Sequence, residues 1–378
     1  MEKRSQRDRR IPTAARVCLA IPLVCIALFY ILCRSEAFCD AVCVRFAYPV
    51  RSALGWFANL LSRGTYMPPS LTEIVYTLFG LAVIVFIVST VAALIKRRGR
   101  RLVTLLRRLI AAATAAAAVW ALFCWLWNVE YRSTSFAERS GLEVTGVSAE
   151  QLREAALYLA GIANDTCGQV ERDEDGHFAV PLADCFSRNG LYSRHLLEEF
   201  PCLDGMKNYT PKAMIYSRIM SRLGYTGIYF PFTGESNINV ESPACYIPFT
   251  VAHEMAHQRR VSSEAEANFV GIMACLYSGD PVYVYSGSLM GLSSVMNALY
   301  KADRDAWSAM YATLDERIRL DWQDNNEFWA AMETQTTKAA SVVYDTYLRA
   351  NGQELGIRSY GACVDLIAAW MNAHRLGA

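Results

Sequence analysis

The chain has 378 residues, enough for two or more domains, and 53% of them are hydrophobic, which is a high share for a soluble protein. The formal net charge of +1 hides an asymmetry: residues 1–128 carry 17 basic and 5 acidic side chains, whereas residues 129–378 carry 20 and 31. This pattern argues against a single soluble domain and predicts a membrane anchor over 1–128 and a separate water-exposed domain over 129–378. No nucleic-acid partner is expected.

Three apolar runs in the first third predict transmembrane helices, at residues 17–33, 74–95 and 109–127. A basic N-terminus over residues 3–16 and a basic loop over 96–108 are both expected in the cytoplasm by the positive-inside rule. The chain after Trp127 would then lie outside the cytoplasm. A signal peptide is the alternative for the first run, but no clear small-residue cleavage site follows it.

The loop between the first two runs, residues 34–73, is rich in large apolar side chains. They are Phe46, Trp56, Phe57, Leu60 and Leu61. Such a segment predicts an interfacial helix that lies on the membrane surface, so the lipid bilayer is an expected partner.

The acidic part begins with a connector and then a helix predicted over 149–163, which Ser148 and Gln151 open with the spacing of a capping box. A short helix is predicted over 212–223. The residues after it favour a strand, and Pro231 indicates an edge strand because proline cannot donate to a central ladder.

That edge strand could pair with an extended substrate by strand addition. The candidate residues for this role are Tyr229, Phe232, Gly234 and Asn237. An ordinary hairpin with glycine-containing turns is the alternative.

Residues 250–260 contain an H-E-x-x-H motif formed by His253, Glu254 and His257. On a helix, histidines four residues apart lie on one face, so both imidazoles can bind a single zinc ion. Glu254 is rotated by about 100° from His253, where its carboxylate can take a proton from a water molecule on the metal. The alternative is a buried helix whose histidines are satisfied by hydrogen bonds.

A catalytic zinc ion needs a third protein ligand. The nearest later carboxylates, Glu264 and Glu266, begin a helix predicted over 264–277 and point in nearly opposite directions. Ser263 and Glu266 have capping-box spacing, which favours Glu264 as the ligand and leaves Glu266 as the alternative. Asn268, one turn further on, is predicted to orient a ligand. Both carboxylates could instead be surface groups of a first helical turn.

Three blocks of the chain resemble the bacterial domain of unknown function 3810 family; they are residues 229–239, 248–259 and 264–269. The resemblance covers most of the chain and implies a membrane-anchored, zincin-like metallopeptidase with Zn²⁺ as its cofactor. The step from Glu264 to Asn268 is similar to the Glu-x-x-Ala-Asp step of gluzincins, in which the glutamate binds zinc. The chain departs from this pattern at Asn268, at Arg260, where glycine is expected, and in its short spacing to Glu264.

The expected fold is α+β and mostly α, with three transmembrane helices followed by a zincin-like domain that has a small edge-stranded sheet. The expected function is a zinc-dependent peptidase of the bacterial cytoplasmic membrane that acts on a peptide or protein substrate. Its N-terminus would be cytoplasmic and its large domain extracytoplasmic. The alternative function is a non-catalytic sensor or receptor that keeps the metal to hold its fold, and Asn268 in place of Asp favours this alternative.

Overall fold

The computed structural model describes residues 13–96, 98–187, 190–351 and 363–376. The chain forms two compact units. The first comprises Met1–Val50 and Leu71–Ser133, and the second comprises Arg51–Ser70 and Thr134–Ala378. The segment Arg51–Ser70 therefore belongs to the second unit, although it lies between two apolar helices in the sequence.

The first unit contains three helices that are long and apolar enough to cross a membrane: α1 (Thr13–Leu32), α4 (Leu71–Lys96) and α5 (Arg101–Phe123). A shorter helix, α2 (Glu36–Val42), lies between the first two. The prediction of three apolar helices long enough to cross a membrane is thereby confirmed. The predicted 96–108 loop is wrong after residue 100, because residues 101–108, rich in the helix formers leucine and arginine, already belong to α5. Basic residues 3–10 and Arg97, on which the predicted orientation depends, lie outside the described residues.

The second unit is mostly helical. Together with the end of α3 (Tyr48–Leu61), its helices are α6 (Phe136–Ser140), α7 (Ala149–Thr166), α8 (Leu182–Cys185), α9 (Arg194–Glu199), α10 (Ser217–Leu223), α11 (Ile247–Gln258), α12 (Glu264–Leu276), α13 (Pro281–Ala302), α14 (Arg304–Ala312), α15 (Glu316–Met332), α16 (Gln335–Ala350) and α17 (Cys363–Leu376). Helix α7 begins with the predicted capping box, because Ser148 and Gln151 each bond the other's backbone N–H.

A small sheet accompanies these helices. Its strands are β1 (Lys212–Ala213), β2 (Gly227–Phe230) and β3 (Glu235–Ile238), in the order β1-β3-β2. Strand β3 is parallel to β1 and antiparallel to β2, with Tyr229 opposite Ser236. Strand β2 lies at the edge of the sheet, as predicted. It also forms a hairpin with β3 through a turn that contains Gly234, which is the alternative that the sequence leaves open.

The helix predicted over 212–223 is wrong at its start, since residues Lys212–Ala213 form strand β1 and the helix begins at Ser217. The cause is long-range pairing. The N–H of Ala213 donates to the carbonyl of Tyr66, and the N–H of Met214 donates to the carbonyl of Ile238, both at 3.0 Å. Hydrogen-bond partners so distant in sequence cannot be recognised from the local residues. Their pairing overrides the helix propensity of this segment.

Helices α11, α12 and α13 lie in the hydrophobic core of the second unit. Phe249, Phe269 and Tyr283 on these three helices are almost completely buried. The N–H of Phe249, in the first turn of α11, donates to Ser286 Oγ of α13 at 3.0 Å. This bond satisfies one of the N–H groups that a helix start leaves without an intrahelical partner. The core therefore fixes where α11 begins and which way its polar residues face.

Candidate metal centre

Helix α11 carries the H-E-x-x-H residues and is buried along its whole length. The ligand atoms of His253, Glu254 and His257 lie within 4.8 Å of one another. Glu264, the first residue of α12, adds a second carboxylate, with Oε2 3.4 Å from His253 Nε2 and Oε1 3.9 Å from His257 Nε2. All four side chains are less than a tenth exposed. Two imidazoles and two carboxylates thus converge on one buried point.

The imidazole of His257 is held in a defined tautomer. Its Nδ1 lies 2.6 Å from the carbonyl oxygen of Val261 and donates a proton to it, which leaves the Nε2 lone pair directed toward the centre. The chain returns to α11 for this bond through Arg260, which has a φ of 62°. That left-handed conformation favours glycine and costs other residues roughly 1–2 kcal/mol. Arg260 therefore occupies the position where the sequence pattern expects glycine.

The two carboxylates have very different acidities. Burial raises the pKa of Glu254 to about 8. Burial would also raise the pKa of Glu264, but bonds from His253 and Tyr344 and the charges of both histidines lower it to about 2. Near neutral pH one carboxyl group is therefore largely protonated and the other ionised. Such divergent carboxyl pairs are typical of acid–base sites.

The two histidines also differ. Burial lowers the pKa of His257 to about 4, and the charge of Glu264 offsets this only in part. For His253, burial acts in the same direction, but the hydrogen bond and charge of Glu264 outweigh it and raise the pKa. In the metal-free protein the strongest ion pair of the centre is therefore the one between His253 and Glu264.

The raised pKa of Glu254 predicts a pH-dependent stability of the metal-free protein. A carboxyl group with a native pKa of about 8 and an unperturbed value of 4.5 binds more protons in the native state. Stability is therefore present at low pH and is lost as the pH rises from about 4.5 to about 8. Glu254→Gln removes this loss. Its free energy of unfolding should exceed that of wild type by roughly 3–5 kcal/mol above pH 8 and by little at pH 5.

The measurement is chemical unfolding of the full-length, chelator-treated protein in detergent at pH 5 and pH 8.5. Glu150→Gln is the control, since that carboxylate is exposed at the surface. A constant difference between Glu254→Gln and wild type at the two pH values would contradict the expectation.

The alternative ligand Glu266 points away from the histidines. Its Oε1 accepts a hydrogen bond from the N–H of Ala137 at 2.9 Å, and its carboxyl group has a raised pKa because of burial. The predicted capping box is wrong, because the side chain of Ser263 makes no capping hydrogen bond to α12. Glu266 instead accepts from an N–H of the first turn of α6, a contact between segments 129 residues apart.

Asn268 lies one turn after Glu264 and is buried. Its side chain is close enough to His253 to contribute to the raised pKa of that imidazole. However, His253 Nδ1 has no hydrogen bond of good geometry within the described part of the chain. The predicted role of Asn268 in orienting a ligand stays a prediction, and its position is consistent with that role.

The candidate substrate-strand residues are distributed over different elements. Tyr229 lies on the edge strand β2, with its ring centroid 6.4 Å from that of His257. Phe232 and Gly234 lie in the turn that follows. Asn237 lies on the central strand β3, where its amide donates to the carbonyl of Ile228 at 3.3 Å. Only Tyr229 is thus placed on the edge strand, and the substrate role remains a prediction for β2.

The comparison with known families decides the identity of the chain. A family described as "Protein of unknown function (DUF3810)" matches residues 51–368. The chain belongs to the DUF3810 family. No curated protein and no solved structure matches it. The match begins at Arg51, the residue at which the second structural unit also begins.

The residues of this DUF3810 protein fit a zinc ion. With ligand bonds of about 2.0–2.1 Å, two ligand atoms of a tetrahedral zinc ion lie about 3.4 Å apart, and His253 Nε2 and Glu264 Oε2 are separated by 3.4 Å. Oε2 of Glu254 is buried and has no hydrogen-bond partner among the described residues. Gly227 leaves room for this carboxylate, because a Cβ there would lie 2.4 Å from Glu254 Oε1.

Two side chains next to the centre of this DUF3810 protein carry no sequence signal. The hydroxyl of Tyr344, on α16, donates to Glu264 Oε1 at 2.6 Å. Arg51, on α3, is almost completely buried, with its guanidinium 5.6 Å from the centroid of the Tyr229 ring. They lie 80 residues after Glu264 and 178 residues before Tyr229. A tyrosine among twenty and an arginine in a basic region cannot be singled out without the fold.

Proposed function

We propose that this DUF3810 protein is a membrane-anchored, zinc-dependent peptidase. The observation that carries the proposal is the buried cluster in which Glu264 Oε2 and Oε1 lie 3.4 and 3.9 Å from Nε2 of His253 and His257, with Glu254 beside both imidazoles. Two histidines and one glutamate are the protein ligands of one established class of catalytic zinc site, which leaves a fourth position for water. The fixed tautomer of His257 supports the same conclusion, since metal-binding histidines donate their other N–H to a carbonyl or carboxylate.

A bound zinc ion would supply a Lewis acid that acidifies a water molecule and polarises the carbonyl group of a peptide bond. His253, His257 and Glu264 would hold it. Glu254 would accept the proton of the water on Oε2, the oxygen that has no hydrogen-bond partner within the described residues, and pass it to the leaving amine.

The direct test is metal analysis of the full-length protein purified in detergent, followed by digestion of a peptide library. Near-stoichiometric zinc and cleavage that a chelator abolishes and zinc restores would support the proposal. Absence of zinc after purification in zinc-containing buffer would contradict both the peptidase and the metal-stabilised sensor. Stoichiometric zinc without cleavage of any library or protein substrate would favour the sensor.

We also propose the orientation in the bacterial cytoplasmic membrane, with the N-terminus in the cytoplasm and the metal centre outside. The support is the excess of basic residues over 96–108, where the second bilayer-length helix ends and the third begins.

The orientation predicts the behaviour of reporters fused after residue 130. Alkaline phosphatase, which needs disulfides, should be active there, and a fluorescent protein that matures only in the cytoplasm should be dark. The same reporters fused after Gly99, in the loop between α4 and α5, serve as the control and should behave in the opposite way. The reverse pattern at residue 130 would overturn the orientation.

A further inference from the structure

Helix α3 has one buried and one exposed face. Arg51, Gly55 and Ala58 are buried, at helical spacing. The opposite face exposes large apolar side chains, with 47–59% of each accessible, and these define the apolar stripe: Trp56, Phe57, Leu60 and Leu61. Spacings of three and four residues place the members of each set on one side of a helix. An ordinary amphipathic helix buries its apolar face, whereas α3 exposes large apolar side chains on its outward face.

The buried face of α3 is locked onto the sheet of the second unit. A Cβ on Gly55 would lie 2.8 Å from the carbonyl oxygen of Gly234 and 2.7 Å from the ring of Tyr209. Gly234 has a φ of 67°, and a Cβ there would lie 2.2 Å from the carbonyl oxygen of Arg51. Helix and turn thus approach more closely than side chains would allow. This contact fixes the rotation of α3 and directs the apolar stripe away from its own unit.

The same buried face lies two side-chain contacts from the metal centre. The guanidinium of Arg51 stacks over the ring of Tyr229 at 5.6 Å, and that ring lies 6.4 Å from the ring of His257. Tyr229 is on the edge strand β2, the element predicted to pair with substrate. One face of α3 therefore contacts the candidate substrate strand, and the other presents the apolar stripe.

A second contact path runs from α3 to the far end of the metal helix. Ser52 Oγ lies 3.1 Å from the hydroxyl of Tyr209, and the N–H of Tyr209 donates to Gln258 Oε1 at 2.6 Å. Gln258, the last residue of α11, directly follows His257. Helix α3 therefore has contact paths to both strand β2 and helix α11, the two elements beside the centre.

The chain itself indicates what covers the apolar stripe. Only the segment 62–70 separates α3 from α4, a helix of bilayer-spanning length and composition. Nine residues reach at most about 30 Å, so α3 would lie close to the surface of any membrane that α4 crosses. Tryptophan and large aliphatic side chains on one face of a helix are characteristic of segments that lie in the headgroup region. Four such side chains clustered in water would be an aggregation liability.

We propose that α3 lies in the membrane–water interface on the outer face of the cytoplasmic membrane, with its apolar stripe in the lipid. The metal centre then acts on extended segments of membrane proteins close to where they leave the bilayer. The lipid contact rests on α3 and on its nine-residue link to α4, and it does not depend on the proposed peptidase function. The substrate class rests also on the proposed peptidase function. Contact of α3 with the lipid would fix the distance between strand β2 and the membrane surface. A segment that leaves the membrane would then reach that strand within a few residues.

The lipid contact is tested by photo-crosslinking in proteoliposomes. A benzophenone amino acid replaces Trp56 in one full-length protein and Val343 in another. Val343 is the control, because it lies on α16 of the same unit and is 70% exposed. Crosslinks to lipid are expected at position 56 and not at position 343. Equal labelling at the two positions, or crosslinks at position 56 to protein only, would overturn the lipid contact.

The substrate class is tested with two membrane-anchored substrates that differ in the distance between the cleavable segment and the transmembrane helix, about 5 or about 30 residues. Wild type should cleave the short-spacer substrate about tenfold faster, a modest effect for correct positioning of a reacting group. The double variant Trp56→Gln, Leu60→Gln should lose this preference and still cleave a soluble peptide at the wild-type rate. The matched control Val342→Gln, Val343→Gln should keep the preference.

The outcomes separate this inference from the proposed function. Wild type that cleaves both spacers equally would overturn the substrate class and leave the peptidase intact. Wild type that binds zinc and cleaves neither substrate nor soluble peptides would overturn the peptidase and the substrate class, while the crosslinking still decides the lipid contact. If the double variant loses zinc, the wild-type comparison of the two spacers decides the substrate class, and the crosslinking at position 56 decides the lipid contact.

Discussion

Glu254→Gln should strongly slow peptide cleavage and leave zinc bound. Glutamine keeps the shape of the side chain and cannot accept the proton from water. Loss of a general base costs about 10²–10⁴-fold in rate, and here we expect about 10³-fold in kcat. Glu254 is buried beside the histidines and Gly227, so the isosteric change fits the available space without displacing them.

The readouts are zinc content and kcat on the best peptide found in the library. Glu266→Gln is the matched control, because it changes another buried glutamate that bonds to α6 and does not face the centre. It should keep both zinc and activity. Full activity in Glu254→Gln would remove Glu254 from its proposed role, and loss of zinc would show that it is a ligand and not a base.

Glu264→Gln should weaken zinc binding by about 10²–10³-fold. The estimate follows from apparent zinc-binding free energies of about 10–16 kcal/mol in protein sites with four ligands, of which one neutralised carboxylate removes a share. Glu264 is the carboxylate with the lowered pKa, so it is ionised and ready to bind a cation at all physiological pH values. Its Oε2 also lies at the spacing of a second zinc ligand from His253 Nε2.

Competition with a fluorescent zinc chelator on the full-length protein measures this change. Glu266→Gln should bind zinc as wild type does. Tyr344→Phe removes only the hydrogen bond to Glu264 Oε1. Its zinc affinity should lie between those of wild type and Glu264→Gln, since loss of a hydrogen bond to a metal ligand typically costs 10–100-fold in affinity. Weakened binding in Glu266→Gln together with unchanged binding in Glu264→Gln would exchange the two assignments. Thermal unfolding of the metal-free variants checks that each is folded.

The parts of the structure that the sequence predicts well are those with dense local signals. Runs of apolar residues predict α1, α4 and α5, because a bilayer-length helix needs nothing beyond its own composition. The i, i+4 histidines define the polar face of α11, because helical periodicity alone brings them together. Glu264 and Glu266 point in different directions as helical geometry requires, and Glu264 is the one that faces the histidines.

The parts that the sequence does not predict depend on contacts between distant residues. The spacing of Ser263 and Glu266 predicts a capping box, yet Glu266 bonds to Ala137. Lys212–Ala213 is a strand because Tyr66 and β3 provide its partners. In each case the local sequence pattern predicts one structure, and hydrogen bonds to residues distant in sequence stabilise another.

The segment Arg51–Ser70 has a consequence for how the protein is made. Its hydrogen bonds to the rest of its unit join residues about 150 apart, such as Ser62 with Lys212 and Ser52 with Tyr209. Helices α4 and α5 lie between these partners in the sequence. During synthesis α3 therefore leaves the ribosome long before the strands that receive it, and the large unit can be completed only after two further apolar helices have been made. The candidate metal centre therefore cannot be completed before both apolar helices have been made, and a chain that begins after α5 would lack the helix that packs on Tyr229.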